Sequence, residues 1–137
     1  MIQGRTGPDS PISCLIDTSV VVDLLRGRES AKDLLSSWER RGELAISVLT
    51  EYEVYKGLRQ DREESTRALF ASLASIEVGR EIARLAGTMV GDMWRQGRPV
   101  APIDGLIAAT ALTLDVPLLS NDADHYLFPG LTVVSGR

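Results

Sequence analysis

Short apolar runs of strand length alternate with longer segments of helical pattern along most of this sequence. Strands that alternate with helices in this way pack as a mostly parallel sheet with helices on both faces. The sequence therefore predicts an α/β fold of three layers around a central sheet of four to five strands. The predicted strands are "SCLID", "LAISV", "SIEV", "VPLLS" and "LTVV",. The predicted helices are "TSVVVDLLRG", about Ala31 to Arg41, "LTEYEVYKGL", Asp61 to Leu73, Gly79 to Gln96, and a last one that opens near Asp104,.

The length of 137 residues suits one domain that can bury a core without disulfides,. Residues 1–12 are polar and carry Gly and Pro, which predicts a loose tail and leaves 13–137 as the folded domain,. No apolar run approaches the roughly 18 residues of a membrane span, and the start lacks a signal-peptide pattern. The single cysteine, Cys14, has no partner, which fits a reducing compartment,. We therefore expect a cytoplasmic protein with no membrane association.

An acidic residue stands at the head of an almost wholly apolar helix. Asp104 is the third residue of "PIDGLIAATALTLD". The simple structural interpretation is a helix cap, because an aspartate accepts hydrogen bonds from the first-turn amides and suits the positive end of the helix. A carboxylate at the mouth of a buried helix is otherwise costly unless a cation or a hydrogen-bond donor receives it. Its position raises the question of whether other acids lie beside it.

Three other acids occupy comparable positions in the predicted fold. Asp17 and Asp122 come just after the first and fourth strands, and Glu53 lies in the first turn of the helix that follows the second strand. In parallel sheets, functional sites lie beyond the carboxyl ends of the strands. We therefore expect Asp17, Glu53, Asp104 and Asp122 to share one end of the sheet.

Each of these acids also has an ordinary structural interpretation. Asp17 could cap the first helix, and Glu53 could complete an S/T-x-x-E capping box with Thr50. Asp122 could be a turn residue in "SNDADHY", where Asp124 is an equally eligible acid,. Each of these interpretations explains one acid. None of them explains why all four acids are predicted at the same end of the sheet.

Carboxylates held close together repel one another unless a cation is present. Ligand sets made only of oxygen favour hard ions such as Mg²⁺ or Mn²⁺, which activate water and stabilise a leaving oxygen at phosphorus. No His or Cys cluster suggests a zinc site, and no Gly-rich phosphate loop is present,. The net charge of −4 argues against a nucleic-acid partner only if the acids are spread over the surface rather than gathered around a metal,.

Four stretches carry a resemblance to a known family. "LIDTSVVVDLL", "ISVLTEYEVYKG", "GRPVAPIDGLIAATAL" and "PLLSNDADHY", in this order and spacing, resemble PIN-domain ribonucleases, and specifically the VapC-type toxins of bacterial toxin–antitoxin pairs. The resemblance covers about Cys14 to Val134. It implies a PIN-like fold and a Mg²⁺-dependent endoribonuclease whose metal-binding and catalytic acids are Asp17, Glu53, Asp104 and Asp122. It further implies that hydroxyls orient these acids or their waters, at Thr18, Ser19 and Ser120.

The resemblance also implies partners. These are an RNA substrate, a cognate VapB-type antitoxin whose tail covers the acidic groove, and a second copy in a homodimer or a toxin–antitoxin hetero-oligomer. The helices from Ala31 to Leu73 would form much of the antitoxin and dimer surfaces. Four arginines are candidates for RNA phosphate contacts, although each is also an ordinary surface residue: Arg26, Arg28, Arg95 and Arg98,.

Some positions depart from the family pattern or have a second interpretation. Glu51 stands two residues before Glu53, but residues two apart do not share a helix face. His125 stands where many relatives have an aspartate, so we assign it no catalytic role. Asp23 in the first helix is interpreted as a solvated or salt-bridged residue rather than a metal ligand.

Two alternative functions come from other classes. A PIN fold used only for binding would have lost catalytic acids, whereas all four are present here. A receiver-like Mg²⁺-binding signalling domain would need paired acids after the first strand and a late lysine. The sequence has "IDTS" at that point and no lysine after Lys56, which disfavours the second alternative,.

Overall fold

Residues 11–136 are described by a computed structural model of the chain. Five strands form one sheet in the order β3-β2-β1-β4-β5, and every neighbouring pair is parallel. The predicted α/β fold with a parallel sheet of up to five strands is confirmed. The strands are β1 Ile12–Ile16, β2 Glu43–Ser47, β3 Ala74–Ile76, β4 Leu118–Leu119 and β5 Val133–Val134.

Six α-helices lie in the part of the chain that the structure describes, together with short 3₁₀ turns at Gln60–Arg62 and Ala123–His125. None of these helices is both long and apolar enough to cross a membrane. The helices are α1 Thr18–Leu25, α2 Glu29–Glu39, α3 Val48–Lys56, α4 Glu63–Ala71, α5 Arg80–Arg95 and α6 Pro102–Leu114.

The two faces of the sheet are covered by different helices, because successive side chains of a strand point to opposite faces. Cys14 and Ile16 of β1 pack in a cluster with buried residues of α1 to α4, such as Val20 and Phe70. Leu15, which lies between them, packs in a second cluster built from α5, α6 and the chain after β4. The result is the three-layer arrangement that the sequence predicts.

The order of the strands creates a crevice at one end of the sheet. The chain proceeds from the central β1 outward to β2 and β3, and then crosses back to place β4 on the other side of β1. In open parallel sheets, the carboxyl ends of the two strands at such a reversal are where ligands bind. Asp17 directly follows β1, and Ser120 directly follows β4. The topology therefore brings the "LID" and "LLSND" segments to the same crevice.

The predicted tail boundary differs from the structure at its inner end. Residues 1–10 of the predicted tail lie outside the described residues. Ile12 already belongs to β1, and the Pro11 carbonyl accepts a hydrogen bond of 2.9 Å from the Glu43 N–H. The folded domain therefore begins before residue 13, because pairing with β2 orders the chain from Pro11 onward.

The predicted capping box of α3 is wrong. Ser47 is the residue before the helix, and its hydroxyl accepts from the Leu49 N–H at 3.0 Å. Thr50 therefore lies inside the helix, where its side chain is fully buried. With the cap supplied by Ser47, Glu53 has no role at the helix end and its carboxylate is available for contacts elsewhere.

Candidate active site

Asp17 is the most constrained acid at the crevice. Only 4% of its surface is exposed, and three hydroxyls donate hydrogen bonds to its carboxylate. Oδ2 accepts from Ser19 at 2.9 Å and from Ser120 at 2.8 Å, while Oδ1 accepts from the Tyr126 hydroxyl at 2.7 Å. These donors come from α1, the end of β4 and the turn after it. The Asp17 carboxylate is therefore fixed in place by three separate segments of the chain.

Glu53 points from α3 toward the beginning of α1. The Thr18 hydroxyl donates a hydrogen bond of 2.6 Å to Glu53 Oε1 and also lies 3.3 Å from the Thr50 hydroxyl. Because Thr18 is the neighbour of Asp17 in the chain, this bond holds the half-buried Glu53 carboxylate near the carboxyl end of β1. Glu51, two residues earlier, instead accepts from Ser75.

Asp104 lies in the first turn of α6, but it does not cap that helix. The helix begins at Pro102 after Ala101, and no side chain caps it. One oxygen of Asp104 lies 3.3 Å from the Tyr126 hydroxyl, and the other lies 3.7 Å from His125 Nδ1. The interpretation of Asp104 as a helix cap is therefore wrong, and its contacts are with the turn that follows β4.

Burial raises the pKa of Asp104, against the opposing attraction of His125,. The charges of Asp17 and Glu53 raise it further, against a hydrogen bond from Tyr126 that lowers it. The charge of Asp122 is not among these causes. Three of the four predicted acids therefore interact electrostatically at one place, through carboxylates carried by β1, α3 and α6.

The separation of the acids bears on whether they suit a metal ion. The Tyr126 hydroxyl lies 2.7 Å from Asp17 Oδ1 and 3.3 Å from Asp104 Oδ1, so these two oxygens are no farther apart than the sum, 6.0 Å. Among residues 11–136, no three His, Cys, Asp or Glu side chains already stand together as a metal-binding group. Two oxygens that both bind Mg²⁺ at about 2.1 Å are at most roughly 4.2 Å apart. An ion shared by Asp17 and Asp104 therefore requires these two oxygens to approach each other by no more than roughly 1.8 Å,.

The charge balance of the three acids also suits a cation. Over the described residues 11–136, the ion pairs made by Lys and Arg involve none of Asp17, Glu53 and Asp104. In the part of the chain that the structure describes, the basic group beside these acids is the His125 imidazole, whose Nδ1 lies 3.7 Å from Asp104. An oxygen-only set of carboxylates without lysine or arginine partners is the kind of site that accepts a hard divalent ion.

The fourth predicted acid is placed differently. Asp122 is exposed, and its backbone N–H donates to the Ser120 hydroxyl at 2.9 Å. The Ser120 hydroxyl thus links the loop of Asp122 to the Asp17 carboxylate, although the structure does not bring the Asp122 carboxylate itself into the group of three. Asp124, the alternative acid of this loop, is exposed and lines a cavity of about 320 Å³ that reaches Asp104 and His125.

Sequence reasoning missed two residues of this loop. Tyr126, only 3% exposed, contacts both Asp17 and Asp104, and nothing in the local pattern of "DHY" indicates such a bridge. Asn121 donates from its backbone to Ser19 at 3.0 Å and from its amide to Asp23 at 2.8 Å. Asp23 is 2% exposed and also pairs with Arg28, so it anchors the loop to α1, in agreement with its interpretation as a salt-bridged residue.

Two of the four predicted RNA-contacting arginines line cavities beside the acids. Arg26 borders a cavity of about 310 Å³ that includes Glu53. Arg98 borders the cavity of about 320 Å³ that includes Asp104. Both side chains are exposed, so a phosphate near the acids could reach a guanidinium on either side,.

The other two predicted arginines are already paired with acids. Arg28 lies 3.4 Å from the buried carboxylate of Asp23, and Arg95 pairs with Asp92 one turn earlier in α5. A phosphate would have to compete with these carboxylates. The geometry therefore favours Arg26 and Arg98 over Arg28 and Arg95 as phosphate contacts.

Comparison with known proteins gives a consistent result. The PIN domain family profile matches residues 14–131. Ribonuclease VapC19 of Mycobacterium tuberculosis is 35% identical over 119 residues, which cover 85% of this chain and 95% of that relative. Ribonuclease VapC10 of the same species is 35% identical over 112 residues, covering 82% and 84%. A chain of a toxin–antitoxin complex from Klebsiella pneumoniae superimposes with a TM-score of 0.76 at 28% identity, covering 91% of this chain and 98% of that one.

Proposed function

Because this chain belongs to the VapC-type branch of the PIN-domain family, we propose that it is the toxin of a type II toxin–antitoxin pair and acts as a metal-dependent endoribonuclease. The relatives are named ribonucleases, and the Klebsiella protein is part of a toxin–antitoxin complex. The proposal rests on the Asp17 and Asp104 carboxylates, which the Tyr126 hydroxyl joins, with Glu53 held beside them by Thr18 and with no lysine or arginine paired to these three acids within residues 11–136.

In this proposal Asp17, Glu53 and Asp104 hold Mg²⁺, for which Mn²⁺ can substitute, and Asp122 is a fourth predicted acid. When bound, the ion supplies an activated water and stabilises the negative charge that develops on the leaving oxygen. Support comes from the oxygen-only ligand set and from the pKa of Asp104, which is raised first by burial and further by the charges of Asp17 and Glu53,.

The remaining groups of the site orient the acids and the substrate. Thr18 holds Glu53, while Ser19 and Ser120 hold the Asp17 carboxylate from the side of Oδ2. Because these side chains are already held in place, they lose less conformational entropy when the ion binds. Arg26 and Arg98, which border the two cavities beside the acids, contact phosphates of the RNA strand on either side of the cleaved bond,.

We extend the proposal to the partners. A VapB-type antitoxin would restrain the enzyme by covering the acidic groove. The cavity beside Glu53 supports this, because its apolar walls, which include Val22, Leu25 and Leu58, can receive apolar side chains close to the acids,. A homodimer, alone or within a toxin–antitoxin hetero-oligomer, is the proposed assembly.

Metal binding tests the proposal directly, and α3 provides a matched pair of variants. We expect wild-type protein to bind Mn²⁺ in calorimetric titration and to gain about 2.7 kcal/mol of stability at 100 times the dissociation constant. Glu53→Gln removes one carboxylate of the group, so its Mn²⁺ affinity should fall by tenfold or more, as for the loss of one charged contact worth about 1.4 kcal/mol. Glu51→Gln makes the same chemical change two residues away.

The control defines what would contradict the assignment. Glu51 accepts a hydrogen bond from Ser75, outside the group of three acids, so Glu51→Gln should bind Mn²⁺ like wild type. Equal affinities for Glu53→Gln and wild type would remove Glu53 from the metal site. A loss of binding in Glu51→Gln alone would move the site to another face of α3.

A further inference from the structure

Tyr126 is placed between two carboxylates by the hydrophobic core. Its side chain is 3% exposed and packs in the cluster that includes Met93, Ile107 and Leu118. Its hydroxyl lies 2.7 Å from Asp17 Oδ1 and 3.3 Å from Asp104 Oδ1. The core therefore fixes the ring, and the only polar atom of the side chain is held at the point where two like charges approach each other.

The hydroxyl has one proton to share between the two acids. The shorter distance identifies Asp17 as the acceptor of the strong bond, while Asp104 lies within reach of the same group. A tyrosine hydroxyl carries its proton at neutral pH, because the ordinary pKa of tyrosine is about 10. A permanent donor between two carboxylates offsets part of their repulsion.

The two carboxylate oxygens of Asp17 differ in how many hydrogen bonds they accept. Oδ2 accepts from both Ser19 and Ser120, so both of its lone pairs are used,. Among residues 11–136, Oδ1 accepts a hydrogen bond from Tyr126 alone, so it is the oxygen with room for one more partner. Asp17 and Asp104, which would hold a cation, are the same two acids that the hydroxyl contacts.

We propose that Tyr126 is a positioning residue whose hydroxyl holds Asp17 and Asp104 together in the absence of a cation and is partly displaced when a cation binds. The inference rests on the proposed metal site. It gives the hydroxyl a large stabilising effect without metal and a small one with metal. The hydroxyl then competes with the ion. The same oxygen atom therefore raises the stability of the metal-free protein and lowers its affinity for metal.

Tyr126→Phe tests this inference because it removes that one atom and keeps the packed ring. In EDTA, we expect the variant to unfold at a lower temperature than wild type. With saturating Mn²⁺, the difference between the two proteins should shrink. By linkage, calorimetric titration should then give Mn²⁺ affinity on the order of tenfold tighter for the variant, the size expected when a competing hydrogen bond to a charged group is removed.

Tyr52→Phe is the matched control, because Tyr52 is 56% exposed on α3 and its hydroxyl has no part in the group of acids. It should leave both the melting temperature and the Mn²⁺ affinity at wild-type values. Two results would overturn the inference. Equal destabilisation of Tyr126→Phe in EDTA and in Mn²⁺, with unchanged Mn²⁺ affinity, would leave Tyr126 as a packing residue, and greater destabilisation in Mn²⁺, with weaker affinity, would make it a residue that organises the metal site. Absence of Mn²⁺ binding by the wild-type protein would instead overturn the metal site itself.

A double-mutant cycle provides a readout that does not depend on metal. If the hydroxyl acts by offsetting repulsion between the two acids, removing the charge of Asp104 should remove most of its effect. We therefore expect Tyr126→Phe to lower the melting temperature in EDTA less in an Asp104→Asn background than in wild type. Strict additivity of the two substitutions would contradict the proposed role.

Discussion

Asp104→Asn is expected to abolish RNA cleavage while leaving the protein at least as stable as wild type. Removal of one charged group at a site of developing charge lowers turnover by about two to three orders of magnitude. The stability of the fold should not fall, because Asp104 does not cap α6 and its charge is opposed by burial and by the neighbouring acids. Cleavage of a labelled single-stranded RNA and urea unfolding in EDTA measure the two effects.

The difference in stability between Asp104→Asn and wild type should depend on pH in one direction. The pKa of Asp104 is raised in the folded protein above its ordinary value of 3.8, so the folded state holds a proton that the unfolded chain releases. Stability therefore falls as the pH rises from about 3.8 through the raised pKa,. Asp104→Asn has no carboxyl group at this position, so its stability does not fall with pH for this reason. Its free energy of unfolding should exceed that of wild type at pH 8 and equal it near pH 4.

The opposite results would identify a different role for Asp104. A variant that still cleaves RNA at the wild-type rate would remove Asp104 from the catalytic site. If Asp104→Asn were destabilised equally at pH 4 and pH 8, the hydrogen bonds of Asp104 would stabilise the fold and its charge would have no effect on stability.

Asp17→Asn should lose cleavage to a similar extent but should also lose stability. Both oxygens of Asp17 accept hydrogen bonds, from Ser19 and Ser120 on one side and from Tyr126 on the other. An asparagine has one acceptor oxygen, so its amide nitrogen must face one of these donors within a site that is only 4% exposed. We expect the free energy of unfolding to fall by about 1–3 kcal/mol, the cost of a mismatched buried hydrogen bond.

The same change at the exposed Asp122 is the control for this second prediction, since its side chain is in solvent and the fold should not respond to its charge. Asp122→Asn should unfold at the wild-type urea concentration. If Asp17→Asn were as stable as wild type, the three hydroxyls would not hold the Asp17 carboxylate as the geometry indicates.

The layers of the fold could be predicted because they follow from local patterns. Strand-length apolar runs and helical periodicity identify the elements, and their alternation implies parallel pairing. The acids after β1 and β4 could be found for the same reason, since a parallel sheet gathers the carboxyl ends of its strands. The first turn of α6 was predicted less well, because Asp104 was considered as a cap, whereas Pro102 occupies the first helical position and Ala101 precedes the helix,.

The remaining features depend on contacts that no local pattern encodes. Thr50 and Glu53 match a capping box, but Ser47 caps the helix and Glu53 contacts Thr18, which lies 35 residues away in the sequence. Tyr126 reaches Asp17 across 109 residues. Only the folded sheet brings these pairs together, which is why the resemblance named Thr18, Ser19 and Ser120 as orienting hydroxyls but the Tyr126 hydroxyl was missed.

We expect this chain to cleave RNA with a metal bound by the acids at the end of β1. Incubation of the purified protein with single-stranded RNA in Mg²⁺ or in EDTA, followed by analysis of the new RNA ends, tests it most directly. Cleavage that uses water as the nucleophile leaves no 2′,3′-cyclic phosphate, because the ribose 2′-hydroxyl takes no part. We expect cleavage in Mg²⁺, no cleavage in EDTA or by Asp104→Asn, and RNA ends free of cyclic phosphate. Cleavage that persists in EDTA and produces cyclic phosphate ends would contradict it.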